Sequence, residues 1–106
     1  TLAMHNLDLQ ADASSNGVGG AVALASGLIL QKSLAISGNV TADATAVTGV
    51  KALKNADAFA LIGLDASSGK VTAGQIDAEA LASDHGAGKA RGNVQIDVLS
   101  SSDAGM

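Results

Sequence analysis

The stretch Val40-Thr41-Ala42-Asp43-Ala44-Thr45-Ala46 decides the fold. Apolar side chains take every even position and polar ones every odd position. Successive side chains of a β-strand point to opposite faces, so this run gives one apolar face and one wet face. A helix would scatter the same residues around its axis. The alternation recurs on both sides. Leu7, Leu9, Ala11 and Ala13 alternate with Asp8, Gln10, Asp12 and Ser14. Leu28, Leu30, Leu34 and Ile36 share one parity, with Lys32 the exception. Ile76, Ala78, Ala80 and Ala82 alternate with Gln75, Asp77, Glu79 and Ser83, and Val94, Ile96 and Val98 with Gln95 and Asp97. Gly, Ser and Asn clusters at 14–20, 37–39, 67–70 and 85–93 supply turns between them. The pattern predicts an all-β chain.

A helical reading competes in two places. Ala is the strongest helix former. Residues 50–64 would place Leu53, Ala56, Ala60 and Leu64 on one helical face, and 73–83 is equally rich in Ala. Both segments also alternate, and neither carries a convincing capping box. The alternation favours strand in both, and helix stays open as the alternative for 50–64 and 73–83.

Composition narrows the architecture. The chain has 106 residues and a mass of 10.2 kDa, the size of one domain. Ala, Gly and Ser fill 46 positions, and Phe59 is the only aromatic residue. Side chains this small bury little area, so an isolated globule built from them is marginal. Yet 47% of the residues are hydrophobic and only 15% charged, the reverse of a disordered composition. A thin, repetitive fold that buries small residues by stacking reconciles the two facts.

The same numbers exclude several functions. Without Cys there are no disulfides, thiolate zinc sites or iron–sulfur clusters. A net charge of −4 and the lack of aromatics argue against nucleic acid or an anionic membrane as partner. No apolar run approaches the ~20 residues of a helical membrane span. The chain begins at Thr1 without a basic-then-apolar leader, and reads as processed or excised.

Two short matches suggest an internal repeat. Asp12-Ala13-Ser14-Ser15-Asn16-Gly17-Val18 resembles Asp65-Ala66-Ser67-Ser68-Gly69-Lys70-Val71, 53 residues on. Gly38-Asn39-Val40-Thr41-Ala42-Asp43 resembles Gly92-Asn93-Val94-Gln95-Ile96-Asp97, 54 residues on. They predict two copies, 1–53 and 54–106, folded as two stacked layers of one structural unit: a β-solenoid or cross-β layered filament subunit. In that arrangement Asp12 lies over Asp65. Asn39 lies over Asn93 as an amide ladder, with Gly38 and Gly92 at the turns. Val40, Ala42, Ala44, Val94, Ile96 and Val98 are the expected self-assembly core. No segment looks like a cap for the open strand edges, and an uncapped edge invites another chain.

Residues 16–32 and 92–97 carry a family resemblance. Gly19, Gly20, Val22, Ala23, Ala25 and Gln31, with Gly92, Asn93, Val94, Ile96 and Val98, resemble the Gly/Asn and alternating Val/Ala repeats of bacterial functional amyloids. The Fap-type fibre subunits are nearest, and curlin-like subunits are similar in principle. The resemblance covers about a third of the chain. It implies a secreted, self-assembling fibre subunit at the cell surface or in a biofilm matrix.

Chemical sites are sparse. His5 and His85 lie near Asp8 and Asp84, but each is an isolated pair and is read as a solvated residue; no metal or other cofactor is expected. No Ser, His and Asp order singles out a triad, and no catalytic residue is assigned. Gly17-Val18-Gly19-Gly20 lacks the Gly-Lys-Ser/Thr ending of a phosphate loop. Recurrent Asp beside Gly is the theme of calcium-binding β-rolls, but Gly19-Gly20 is not followed by their Gly-x-Asp continuation. The expected function is structural, not enzymatic: a homopolymeric extracellular filament for matrix, adhesion or surface coating. Two alternatives stay open. One is a repeat domain of a larger adhesin, possible calcium binding included. The other is a pilin-like β-sandwich in which Leu7, Leu9, Ala11 and Ala13 form a donor strand.

Overall fold

The computed structural model describes residues 2–100, and these form strands joined by turns and bends, with no helix among them. The strands in chain order are β1 (Leu2–Met4), β2 (Leu7–Ser15), β3 (Ala21–Gln31), β4 (Leu34–Ile36), β5 (Val40–Thr48), β6 (Ala56–Ala66), β7 (Val71–Thr72), β8 (Ile76–Asp84) and β9 (Ala90–Ser100). Residues 50–64 and 73–83 are thus mainly β6 and β8, as the alternation predicts. In β6 the side chains from Ala56 to Ala66 alternate between buried and half-buried without a break.

Every third strand pairs. Sheet A is β1-β4-β7, sheet B is β2-β5-β8 and sheet C is β3-β6-β9, all parallel. The chain therefore winds three times through the same three sheets. Rung 1 is β1–β3, rung 2 is β4–β6 and rung 3 is β7–β9. Parallel neighbours cannot be joined by a tight hairpin. Here the connection is a full circuit through the other two sheets. The body measures 52 × 21 × 16 Å, a flattened prism.

The two-layer expectation is corrected by this pairing. Leu2 pairs with Leu34, Leu7 with Val40, Ala21 with Ala56, Leu34 with Val71, Val40 with Ile76 and Ala56 with Ala90. The spacing runs from 32 to 37 residues, not 53, and the boundary between residues 53 and 54 falls in the corner between β5 and β6. Asp12 pairs with Thr45, while Asp65 stands on the other long sheet between Leu30 and Leu99. The physical reason lies in the corners. Strand lengths are conserved within the long sheets, nine residues in sheet B and eleven in sheet C. The corners take up the variation: 16–20, 49–55 and 85–89 between B and C, for example.

Sheets B and C face each other, and sheet A packs against one end of sheet C. Their inner rows fill the space between. Toward the B–C corner the core is almost pure Ala: Ala42, Ala44 and Ala46 with Ala56, Ala58 and Ala60. Toward the other end it widens to hold Leu34, Ile36, Val40, Ile62 and Leu64. Size is matched across the core. A Cβ on Gly27 would lie 2.6 Å from Leu9 Cδ1, so the large residue of sheet B occupies the space that Gly27 leaves. The register partners of this pair are Ala42 and Ile62, with the large and the small residue exchanged between the sheets and one more side-chain carbon in all. No described glycine has positive φ. At Gly27, glycine serves because it lacks a side chain.

Candidate functional site

The residues expected to drive assembly separate into two groups. Val40, Ala42 and Ala44 are fully buried in β5, the middle strand of sheet B. Val94, Ile96 and Val98 lie on β9, the last strand of sheet C, and pair with Ala60, Ile62 and Leu64. The two groups do not pair with each other. Their surroundings differ because only one has a rung on each side. Val94 is 49% and Ile96 42% exposed, although their partners Ala60 and Ile62 are 0% and 2% exposed. Both rows point inward. β9 is the last described strand of its sheet, and β6 covers it on one side only.

The expected Asn39–Asn93 ladder is corrected too. Asn93 lies in the middle of β9 and pairs with Phe59. Gly92 is an inward position in the same strand, where a Cβ would come within 2.7 Å of the Ala80 carbonyl oxygen on the facing sheet. Asn39 does belong to a ladder, at the corner between sheets A and B. Its backbone N–H donates to Asn6 Oδ1 at 2.9 Å, and its own Oδ1 accepts from Gln75 N–H at 3.0 Å. Gly38 stacks tightly on this corner, with its N–H donating to the His5 carbonyl at 2.6 Å and its own carbonyl accepting from Gly74 N–H at 2.8 Å. A shorter ladder stands at the B–C corner, where Asn55 Oδ1 accepts from Lys89 N–H at 2.9 Å. Asn6, Asn55 and Gln75 were not among the expected site residues. The signal is present in the sequence: Gly38-Asn39-Val40-Thr41-Ala42-Asp43-Ala44 aligns with Gly74-Gln75-Ile76-Asp77-Ala78-Glu79-Ala80, with Gln in place of Asn, Glu in place of Asp, and Asp in place of Thr.

The outer faces of the two long sheets have opposite chemistry. Sheet B turns Asp8, Gln10, Asp12, Asp43, Asp77 and Glu79 to solvent. On this face the Thr41 hydroxyl donates to the Asp8 carboxylate and the Gln10 amide to the Asp12 carboxylate, and neither bond neutralises a charge. Sheet C exposes Val22, Leu24, Leu28 and Leu30 on β3, and half-buries Phe59 and Leu61 on β6. Rung 3 ends this apolar patch with Arg91, Asn93, Gln95 and Asp97. Arg91 holds Asp57 of rung 2 in a two-pronged pair, Nε to Oδ1 at 2.8 Å and Nη2 to Oδ2 at 3.2 Å. That hydrogen bond, and then the carboxylate's charge, raise the guanidinium pKa further above its ordinary value.

Other polar clusters are small. His5 Nδ1 lies 2.9 Å from Ser37 Oγ and His85 Nε2 lies 3.2 Å from Ser83 Oγ, both in exposed positions. Among the described residues no carboxylate bonds to either ring. No group of three or more His, Asp or Glu among the described residues is placed to hold a metal. At the B–C corner, Ser15, Thr48 and Asp84 form one column by register. The Thr48 hydroxyl is fully buried without a partner, as is Asp84 Oδ2, while Asp84 Oδ1 accepts from Gly86 N–H at 2.9 Å. A shallow surface depression on sheet A is lined by Ala3, Met4, Ala35, Ile36, Ser37 and Thr72. No described helix is long and apolar enough to cross a membrane. No family model, curated protein or solved structure matches this chain.

Proposed function

We propose that this chain is a subunit of a self-assembling filament, a β-solenoid whose rungs continue from copy to copy in a layered cross-β arrangement. One observation carries the reading. Rung 3 ends in an inward apolar row, Val94 and Ile96, that is half exposed, and no described strand pairs with β9 on the side away from β6. The backbone supports it. In a parallel ladder alternate residues bond to one side and the rest to the other. Leu7 N–H donates to the Asn39 carbonyl and Val40 N–H to the Gln75 carbonyl, so the even positions of β2 and β8 turn their backbone groups to the open edges. Strand edges of this length are usually blunted by Pro, inward charge or a covering element. The chain has no Pro, and among the described inward positions of β2, β3, β8 and β9 the one charged residue is Asp84, at the corner end of β8.

The role is structural and not enzymatic, with the chain itself as partner. The extracellular setting, matrix or cell surface, rests on the resemblance of residues 16–32 and 92–97 to secreted amyloid-type fibre subunits. Strand exchange in the manner of a pilin would require β2 to leave its nine-residue pairing with β5. Electron microscopy and fibre diffraction of the concentrated protein test the reading. Filaments with a meridional reflection at about 4.8 Å are expected. A species that stays a 10.2 kDa monomer at every concentration would overturn it.

A further inference from the structure

We infer that copies join head to tail with a single polarity, rung 3 of one copy seating rung 1 of the next in the register that the sheets keep within the chain. This rests on the self-assembly reading and adds direction and register to it.

Size complementarity gives the first reason. At one level of the core, rung 1 has Leu9 from sheet B and Gly27 from sheet C, and Leu9 fills the glycine's space. Rung 2 has Ala42 and Ile62 there, and rung 3 has Ala78 and Ile96. Rung 3 therefore presents a small residue on sheet B and a large one on sheet C. The first rung is its complement. Leu9 of the next copy would lie on Ala78, and Gly27 of the next copy on Ile96. That is the juxtaposition found between rungs 1 and 2, met in the opposite order; Ile62, between Gly27 and Ile96, is only 2% exposed. Close packing of this kind favours one register over its neighbours.

The corner ladder gives the second reason, and it has a direction. Asn6 Oδ1 receives the N–H of Asn39, and Asn39 Oδ1 receives the N–H of Gln75. Each side-chain oxygen faces the following rung and each N–H the preceding one. The third rung thus ends at that corner on a Gln75 amide, and the first begins on the Asn6 N–H. A head-to-tail junction sets that donor on that acceptor. Any two-fold junction, rung 3 on rung 3 or rung 1 on rung 1, must run its strands antiparallel, whereas all six pairings within the chain are parallel. It would also set like corner groups against each other. A repeated heterologous contact that does not close makes a filament.

One term opposes the junction. Within the chain Thr41 separates Asp8 from Asp77, but across the junction Asp8 of the next copy lies directly on Asp77. Like charges directly opposite are destabilising and are screened by salt. Assembly should therefore quicken as salt is raised.

Cysteine pairing tests the polarity, since the chain has no Cys of its own. Gln10 and Glu79 are exposed, and both are register partners of Asp43. The head-to-tail junction brings Glu79 beside Gln10 of the next copy, within the span of a disulfide. Gln10→Cys and Glu79→Cys are prepared separately, one of them isotope-labelled, assembled alone or mixed one to one, and oxidised with diamide. The mixture is expected to give at least tenfold more 10–79 disulfide than 10–10 or 79–79. Equal homodimer yields in assembled material would overturn the polarity while leaving self-assembly standing. A wild type that stays monomeric would overturn both. Blocked copies give an independent measurement. Gln10→Pro and Val94→Pro each remove one outward edge N–H, at opposite ends of the winding. Each alone should fail to elongate, with strand content kept by circular dichroism, and their mixture should stop at a dimer. A blocked variant that dimerises by itself would overturn the polarity.

Discussion

Rung 2 and rung 3 are built from nearly the same inward residues, yet one is sealed and the other open. Ala58, Ala60, Ile62 and Leu64 in β6 are all buried; Gly92, Val94, Ile96 and Val98 in β9 are their register partners and are mostly exposed. Both rows face sheet B across the core. The difference teaches that the larger inward side chains need the neighbour along the axis as well as the sheet opposite, whereas the small Ala21, Ala23 and Ala25 of the other end strand, β3, are buried with a neighbour on one side only. In a domain with an ordinary core, facing layers do most of the covering. Here the sheets are only three strands wide, so two of every three rungs are end rungs.

The comparison can be broken with paired substitutions, read as urea or thermal midpoints in dilute solution. Proline gives the largest contrast. Ala56 N–H donates to Lys89 carbonyl, and by the parallel alternation Ala60 N–H donates in the same direction. Ala60→Pro removes that bond from a central strand and should cost about 3 kcal/mol or more. Val94→Pro falls on an outward N–H of an edge strand, where Pro is tolerated, and should leave the midpoint close to wild type. Equal losses would mean that β9 is not an edge.

Truncation comes next. Ile62→Ala should cost about 2–5 kcal/mol, as a fully buried side chain does, and Ile96→Ala less than half as much. If assembly covers Ile96, the second loss should grow with protein concentration, because a partner that binds only the folded state adds stability.

A third pair sharpens the size-matching across the core. Leu9→Ala should cost roughly 2 kcal/mol and Gly27→Ile somewhat more, through crowding against Leu9. Together they convert rung 1 to the pattern of rung 2, and the double variant should recover most of the loss. Additive losses would show that Leu9 and Gly27 do not share one space.

The last two effects are smaller. Thr48→Val removes a buried hydroxyl without a partner while keeping the shape, and should raise stability by about 1 kcal/mol. A loss there would mean that the hydroxyl is bonded, for instance through a buried water. Arg91→Gln removes the exposed pair with Asp57 and should leave the midpoint within measurement error.

Most of the secondary structure was legible in the chain. The parity of Val40, Ala42, Ala44 and Ala46 identified the inward face of β5, and Ile76, Ala78, Ala80 and Ala82 that of β8. Period two also overrode the helical preference of Ala in β6. The candidate site was legible only in part. Val94 and Ile96 were found as apolar inward residues, but not as the exposed row of an end rung. Asn39 was found as a ladder residue and assigned the wrong partner. Asn6 and Gln75 were overlooked because an Asn and a Gln in a corner look alike only once the strands beside them are aligned.

By itself, the sequence determined that these residues form strands, which side of each strand is apolar, where the chain turns, and that the core is thin. Each follows from local period, turn chemistry and side-chain volume. The tertiary structure alone decided how many circuits the chain makes and which residues meet. The backbone ladder that joins the rungs is nearly blind to side-chain identity, and the corners between equal strands vary in length. Register was left to three-dimensional fit, Leu9 against Gly27 and Asn6 against Asn39, and no fixed spacing along the chain records it.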